Sequence, residues 1–230
     1  FTLAAAPAVT TQPASVSAVL GNGASFSVAA SGSGTLSYQW YKGSVGSGTA
    51  LSGATAATYT ISATATGDAG TYYCVVTNAY GSATSSGATL TLTEPLANFL
   101  STYNLTSYTA DADGDGISNL LEFVLGGDPT TPNTAVLPTA TRTVSNGTAY
   151  LVYGYYSTAN LGSVSLGVQY STDLSTWTTA VNGTDGVTVS TTAYSSSLNY
   201  TTVTIPDSTG GGKLFVRLVA NVPGTYSASY

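Results

Sequence analysis

Residues 70–81 read GTYYCVVTNAYG. This β-prone run opens and closes on glycine, so it is a short strand set between turns. Four more such runs lie around it: ASFSVAA (24–30), LSYQWYK (36–42), TYTIS (58–62) and ATLTLT (88–93). Gly, Ser and Asn turns separate them. Along 24–30, Phe26 and Val28 fall on one side and Ser27 and Ala29 on the other. A period of two puts one face in a core. Residues 7–93 therefore read as a β-sandwich.

The seven residues DAGTYYC (68–74) and Trp40 in YQWYK carry a resemblance. They are similar to the immunoglobulin superfamily, in particular to the Ig-like modules of bacterial surface proteins. Tyr72, two residues before Cys74, stands where that family has its tyrosine corner, with Asp68 and Gly70 completing the pattern. Val28 stands where the family has its first cysteine. The resemblance thus implies a sandwich with no disulfide, in which Trp40 packs on Val28 and on the Cys74 thiol. It covers about 80 residues and says nothing of function. Cys74 is the only cysteine. No His, and no Lys or Arg close in sequence, is there to activate it, so it reads as a small buried hydrophobe and not as a reactive thiol.

Residues 94–135 change character. PLANFLSTYNL (95–105) spaces Leu96, Phe99, Leu100 and Tyr103 for a helix, and Pro95 suits the first helical turn. SNLLEFVLGG (118–127) is a second short helix. Gly126–Gly127 offer its cap and Pro129 prevents its continuation. DPTTPNTAVLP (128–138) is an extended exit. Between the helices lies DADGDGISNLLE (111–122). Asp111, Asp113 and Asp115 take positions 1, 3 and 5 of a twelve-residue loop, Gly116 position 6, Ile117 position 7, Asn119 position 9 and Glu122 position 12. This fits D-x-[DN]-x-[DN]-G-x₅-E without a mismatch. Calcium takes six to eight oxygens at roughly 2.3–2.6 Å, which alternate side chains on a tight loop can supply. The expected ligands of one Ca2+ are Asp111, Asp113, Asp115, the Ile117 carbonyl and both oxygens of Glu122. Asn119 is offered three roles: direct ligand, ligand through water, or helix cap. Five of the ten acids, counting Asp128, lie within 18 residues with no Lys or Arg among them, so a solvated acidic turn would repel itself.

The loop resembles the EF-hand-like calcium loops of dockerins and thrombospondin type 3 repeats. Sensor EF-hands carry an apolar residue at position 8, where it pairs with a second loop; here Ile117 is at position 7 and Ser118 follows. One unpaired loop implies a fixed structural ion, stiffening a helix–calcium loop–helix linker between two β-domains.

Residues 136–230 return to strands: TRTVSNGTAYLVYGYY (141–156), VSLGVQYS (164–171), GVTVSTTAY (186–194), NYTTVTIP (199–206) and GKLFVRLVANV (212–222). Asn146-Gly147 signals a hairpin. Val168, Tyr170, Leu214, Val216 and Leu218 are core candidates for a second β-sandwich. VQYSTDLSTWTTA (168–180) with KLFVRLVA (213–220) resembles a C-terminal β-module of large bacterial exported proteins. Trp177 reads as a packing residue before a sugar-stacking platform.

The 230 residues are only 6% charged, contain no His, and carry a formal charge of −6. Four scattered cations, Lys42, Arg142, Lys213 and Arg217, cannot neutralise a phosphate backbone, which excludes nucleic acid and anionic membranes as partners. No apolar run approaches the ~18 residues of a membrane span. FTLAAAPAVTTQP at the start reads as the head of a mature exported protein whose leader has been removed. Outside the loop, Asp68, Glu94, Asp173, Asp185 and Asp207 are scattered, without a paired carboxylate for glycoside hydrolysis. STGGGKLF (208–215) lacks the spacing of a phosphate loop. The chain is therefore expected to be non-enzymatic and extracellular. Two functions compete. One is a structural subunit that polymerises head to tail into a surface filament, sheath or layer, through a strand donated by a terminus, with residues 1–10 favoured. The other is an adhesion or carbohydrate-binding module, with surface glycans as partners. Four N-x-S/T sites (Asn104, Asn146, Asn182, Asn199) are compatible with either.

Overall fold

The computed structural model describes residues 4–132, 137–207 and 213–223, and the backbone of 226–229. The first three residues of the apolar start, 133–136 of the extended exit and the glycine run 208–212 lie outside the described residues. The chain divides into two compact units, Phe1–Glu94 and Pro95–Tyr230.

The first unit holds β1 (Ala8–Thr11), β2 (Val16–Val19), β3 (Ala24–Ser27), β4 (Ala29–Ser31), β5 (Ser37–Lys42), β6 (Thr49–Ala50), β7 (Thr58–Ile61), β8 (Gly70–Asn78), β9 (Gly81–Thr84) and β10 (Ala88–Thr93). One layer pairs β1 with β4 and β3 with β7. The other runs β2-β10-β8-β5-β6, with β9 also on β8. All ladders are antiparallel except β2 on β10. Trp40 and Cys74 face each other across β5 and β8 and are both 0% exposed. Phe26, Val28, Tyr72, Val76 and Leu90 close the core around them. Phe26 stacks on Tyr72 with ring centroids 4.8 Å apart. The Trp40 indole N–H donates to the Ala56 carbonyl at 2.9 Å, so the largest core side chain leaves no polar atom unpaired. The Tyr72 hydroxyl donates to the Asp68 carbonyl at 2.7 Å, which is the expected tyrosine corner. Cys74 is a free thiol, and burial pushes its pKa up.

Residues 5–11 of the expected donor strand find partners within their own unit. Ala5 exchanges two hydrogen bonds with Ser33, and Asn78 Nδ2 also donates to the Ala5 carbonyl at 2.9 Å. Pro7 is buried, and β1 pairs with β4. From Ala5 to Thr11 the apolar start fills an edge of its own sandwich, because an edge in the same chain is always within reach. The C-terminal β18 (Tyr226–Ser229) likewise pairs inside its own unit.

The second unit begins with α1 (Pro95–Thr102) and α2 (Asn119–Leu125) and continues through β11 (Thr139–Ser145), β12 (Thr148–Thr158), β13 (Ser165–Ser171), β14 (Thr178–Thr179), β15 (Thr188–Ala193), β16 (Leu198–Pro206), β17 (Phe215–Val222) and β18. Two four-stranded antiparallel sheets, β11-β12-β16-β15 and β14-β13-β17-β18, contribute to one core. Tyr153, Tyr155, Val203 and Ile205 come from the first, and Val168, Leu218 and Ala220 from the second. Tyr170, Leu214 and Val216 are half-buried at its margin. Asn146 (φ 51°) and Gly147 (φ 79°) form the two-residue turn between β11 and β12.

Both helices share this core. All seven residues of α2 are buried, as the apolar run 120–125, interrupted only by Glu122, requires. Leu96 of α1 is buried, and Phe99 meets Phe123 edge-on at 5.4 Å. Gly126 ends α2 at φ 77°, where an added Cβ would lie 2.4 Å from the Leu198 side chain. Segment 95–132 is thus packed into the second unit from its first residue. Trp177 stays outside the core. Its indole N–H donates to the Leu174 carbonyl, and the Arg217 guanidinium lies 4.0 Å over its ring, itself held twice by Gln169.

Candidate metal centre

The loop 111–118 folds on its own carboxylates. The two oxygens of Asp111 accept from the Gly114 and Gly116 backbone N–H groups, each at 2.9 Å. Asp113 Oδ1 accepts from Asp115 N–H at 3.3 Å, and Asp115 Oδ1 from Ile117 N–H at 2.8 Å. Such bonds need a tight left-turning backbone, and Gly114 (φ 79°) and Gly116 (φ 91°) supply it. Ser118 is the N-cap of α2, its hydroxyl accepting from Leu121 N–H. The cap offered to Asn119 therefore belongs to its neighbour. Asn119 is the first helical residue, and its Nδ2 donates to the Ser107 carbonyl at 2.7 Å. Its backbone N–H reaches the Ala110 carbonyl, and that of Leu120 the Tyr108 carbonyl. Segment 107–110 is thereby tied to the start of α2.

Asp111, Asp113 and Asp115 converge, one oxygen of each lying within 4.8 Å of the others. Asp111 is exposed and the other two are half-buried. Glu122 is not part of that trio; it sits beneath it, 0% exposed. Ile117 is buried in the core. Among the described residues, the buried side-chain oxygens without a hydrogen-bond partner are Asp113 Oδ2, Asn119 Oδ1, Glu122 Oε1 and Glu122 Oε2. All four atoms belong to this one loop. A native fold leaves few such atoms, and each needs a cause.

The electrostatics follow the geometry. Burial pushes the Glu122 carboxyl up to about 7, and the charges of Asp113, Asp115, Asp111 and Asp128 push the same way. Burial also raises Asp113, against the pull of the Asp115 N–H. The Gly116 N–H holds Asp111 below the usual carboxylate range. A site that makes its innermost carboxyl this hard to ionise is short of positive charge. A hard cation with oxygen ligands fits this donor set, which is all oxygen with no nitrogen or sulfur. The depth of Glu122 and the Ser118 cap are the features the loop pattern did not disclose. The first was legible in the apolar run on both sides of the glutamate.

Residues 6–78 match the sequence profile of an immunoglobulin domain. The first unit is an Ig-like β-sandwich. The chain is similar to several solved structures. Domain M4 of titin is 28% identical over 40% of this chain and 100% of its own, at a TM-score of 0.34. Tandem Ig repeats of Dlar are 22% identical over 40% of this chain and 51% of theirs, at 0.36. The titin fragment I67–I69 covers 99% of this chain and 64% of its own at 17% identity, also at 0.36. No curated protein matches the chain. Among the described residues no helix is long and apolar enough to cross a membrane.

Proposed function

We propose that this chain is a non-enzymatic, extracellular structural protein whose second unit is locked by one calcium ion and whose copies associate. The ion would be held by Asp111, Asp113, Asp115, the Ile117 carbonyl and Glu122, with Asn119 Oδ1 beside it. The carrying observation is that, among the described residues, the buried side-chain oxygens without a hydrogen-bond partner gather in this loop. The loop joins segment 107–110 to the start of α2, and α2 is core, so ion binding would stabilise the whole second unit. The low charge content supports association of copies, since few groups need desolvation. Calorimetric titration of chelator-stripped protein tests the site: one calcium per chain is expected, and Glu122→Gln should weaken it by at least tenfold. Absence of uptake by the intact protein would refute it.

One observation favours the adhesive alternative. Tyr156, Tyr194 and Tyr200 cluster on the second unit, centroids 4.8 and 4.9 Å apart, and Tyr194 is 64% exposed. Neutral saccharides would stack there. Glycan-array binding lost on Tyr194→Ala would support that reading, and no binding at all would remove it.

A further inference from the structure

The sheet β11-β12-β16-β15 ends in two strands with no further strand on their outer side among the described residues. The alternation of its ladders fixes which backbone groups are left over. Ser145 and Thr148 close a two-residue hairpin, so Thr143, Thr141 and Thr139 also bond to β12. Ala140, Arg142 and Val144 point their N–H and C=O groups outward. Carried across β12 and β16, the same alternation turns Thr188, Ser190 and Thr192 toward β16, and Val189, Thr191 and Ala193 outward. The Val189 N–H confirms the count, because it is taken by the Asn182 side chain at 2.9 Å and not by the sheet.

Natural edge strands are blunted by proline, lysine, bulges or shortness. Here β14 and β6 are two residues long, whereas β11 has seven and β15 six. Neither β11 nor β15 holds a proline, a lysine or an acid, and both keep an unbroken register. Every residue of β11 is exposed, Val144 to 70%. Val181 and Tyr194, on either side of β15, are exposed large hydrophobics. The single charge, Arg142, is already engaged by Asp207 at 2.7 Å.

We infer that the β15 edge of one copy receives the β11 edge of a second copy, continuing the sheet from chain to chain. This rests on the reading that copies associate and names the surface they use. The two edges run in opposite directions within the sheet. A second copy displaced along the sheet, in the same orientation, therefore presents β11 antiparallel to β15. With the Val189 N–H already taken, roughly four or five backbone hydrogen bonds then form at each junction. A β11–β11 pairing would bring two Arg142 side chains close together, which β11 on uncharged β15 avoids. The contact uses two different patches and does not close, so it propagates.

The test uses two variants of the full chain with calcium present. Thr191→Pro blocks β15 and Ala140→Pro blocks β11. Each removes an outward N–H, and Thr191→Pro also removes the hydroxyl bond to Thr201 Oγ1 at 2.8 Å, while the internal backbone ladder keeps its bonds. Thr191→Lys and Val144→Lys repeat the test should a proline variant fail to fold, with thermal melts as the check. Sedimentation velocity should show wild-type mass growing with concentration and each variant alone remaining at 23.0 kDa. An equal mixture of the two variants should stop at a pair, because each supplies the one good edge the other lacks. Variants that dimerise alone, or that still grow, overturn the β11–β15 contact while leaving an associating protein. Wild type that stays at single-chain mass at every concentration overturns both.

Discussion

Glu122→Gln should change the stability of the second unit in opposite directions with and without calcium. Without the ion, the wild-type carboxylate is fully buried, accepts no hydrogen bond and lies under three aspartates. An unsatisfied buried group costs about 1–3 kcal/mol and a charged one more, so the neutral amide should stabilise the fold by about 2–3 kcal/mol. The unit spans Pro95–Tyr230. At ~2.1 cal/mol/K per residue its unfolding entropy is roughly 0.3 kcal/mol/K, so the midpoint should rise by about 7–10 °C. With calcium at a hundred times its dissociation constant, wild type gains about 2.7 kcal/mol, or ~9 °C. The variant has lost the residue that closes the coordination sphere and should gain little. Differential scanning calorimetry in chelator and in calcium measures both shifts, with the transition of the Ig-like unit as internal reference. A variant destabilised equally in both conditions would mean that Glu122 serves packing, and the reasoning would fail.

Three further outcomes follow from particular groups. The folded Glu122 carboxyl is raised from 4.5 to about 7, so the folded state binds the extra proton between those values; in chelator the second unit should become more stable as pH falls from above 7 toward 4.5, while in calcium acidification should destabilise it by displacing the ion. Tyr72→Phe removes the hydroxyl bonded to the Asp68 carbonyl and should cost the first unit about 1–2 kcal/mol in denaturant unfolding, with calcium uptake unchanged. A thiol reagent should label Cys74 only after unfolding, because the thiol is 0% exposed and held protonated by burial; fast labelling of the native protein would contradict its place between the sheets.

The first unit was legible in sequence because each of its signals is local and redundant. Trp40, Tyr72 and Cys74 occupy the expected core, and the period of two placed Phe26 and Val28 beside them. The fate of residues 5–11 was not legible, since an apolar strand with free edges looks the same whether it fills its own sheet or another's. Within this chain Ser33 and Asn78 hold Ala5, a contact that depends on where the fold brings them in space. In the loop, the spacing announced Asp111, Asp113 and Asp115 as a convergent trio, and they converge. It could not announce that Asn119 would use its amide to hold Ser107, because that bond depends on where α1 delivers the chain. The outer groups of β11 and β15 were equally hidden. Which strands end a sheet is a matter of topology, and the alternating pattern alone does not contain it.

The acidic loop and the neutral edges bear on each other through charge. The chain carries a formal −6, against which copies must approach, and half of its acids are in or beside the loop. A bound divalent cation would bring the total to about −4 and neutralise that concentrated half. Calcium could thus favour association in two ways, by ordering α2 and the core beneath the sheet or by lowering repulsion between copies. Monovalent salt separates them. At ~1 M the Debye length is about 3 Å, and repulsion between exposed charges is screened away without any ion being coordinated. If charge alone matters, concentrated sodium chloride in chelator should restore the wild-type growth in mass expected with calcium. If ordering matters, it should not, because sodium chloride leaves Glu122 buried without a partner. Ordering should prevail, since all seven residues of α2 are core and the loop sets where that helix begins. Full recovery of assembly by salt in chelator would show instead that the ion acts only through its charge.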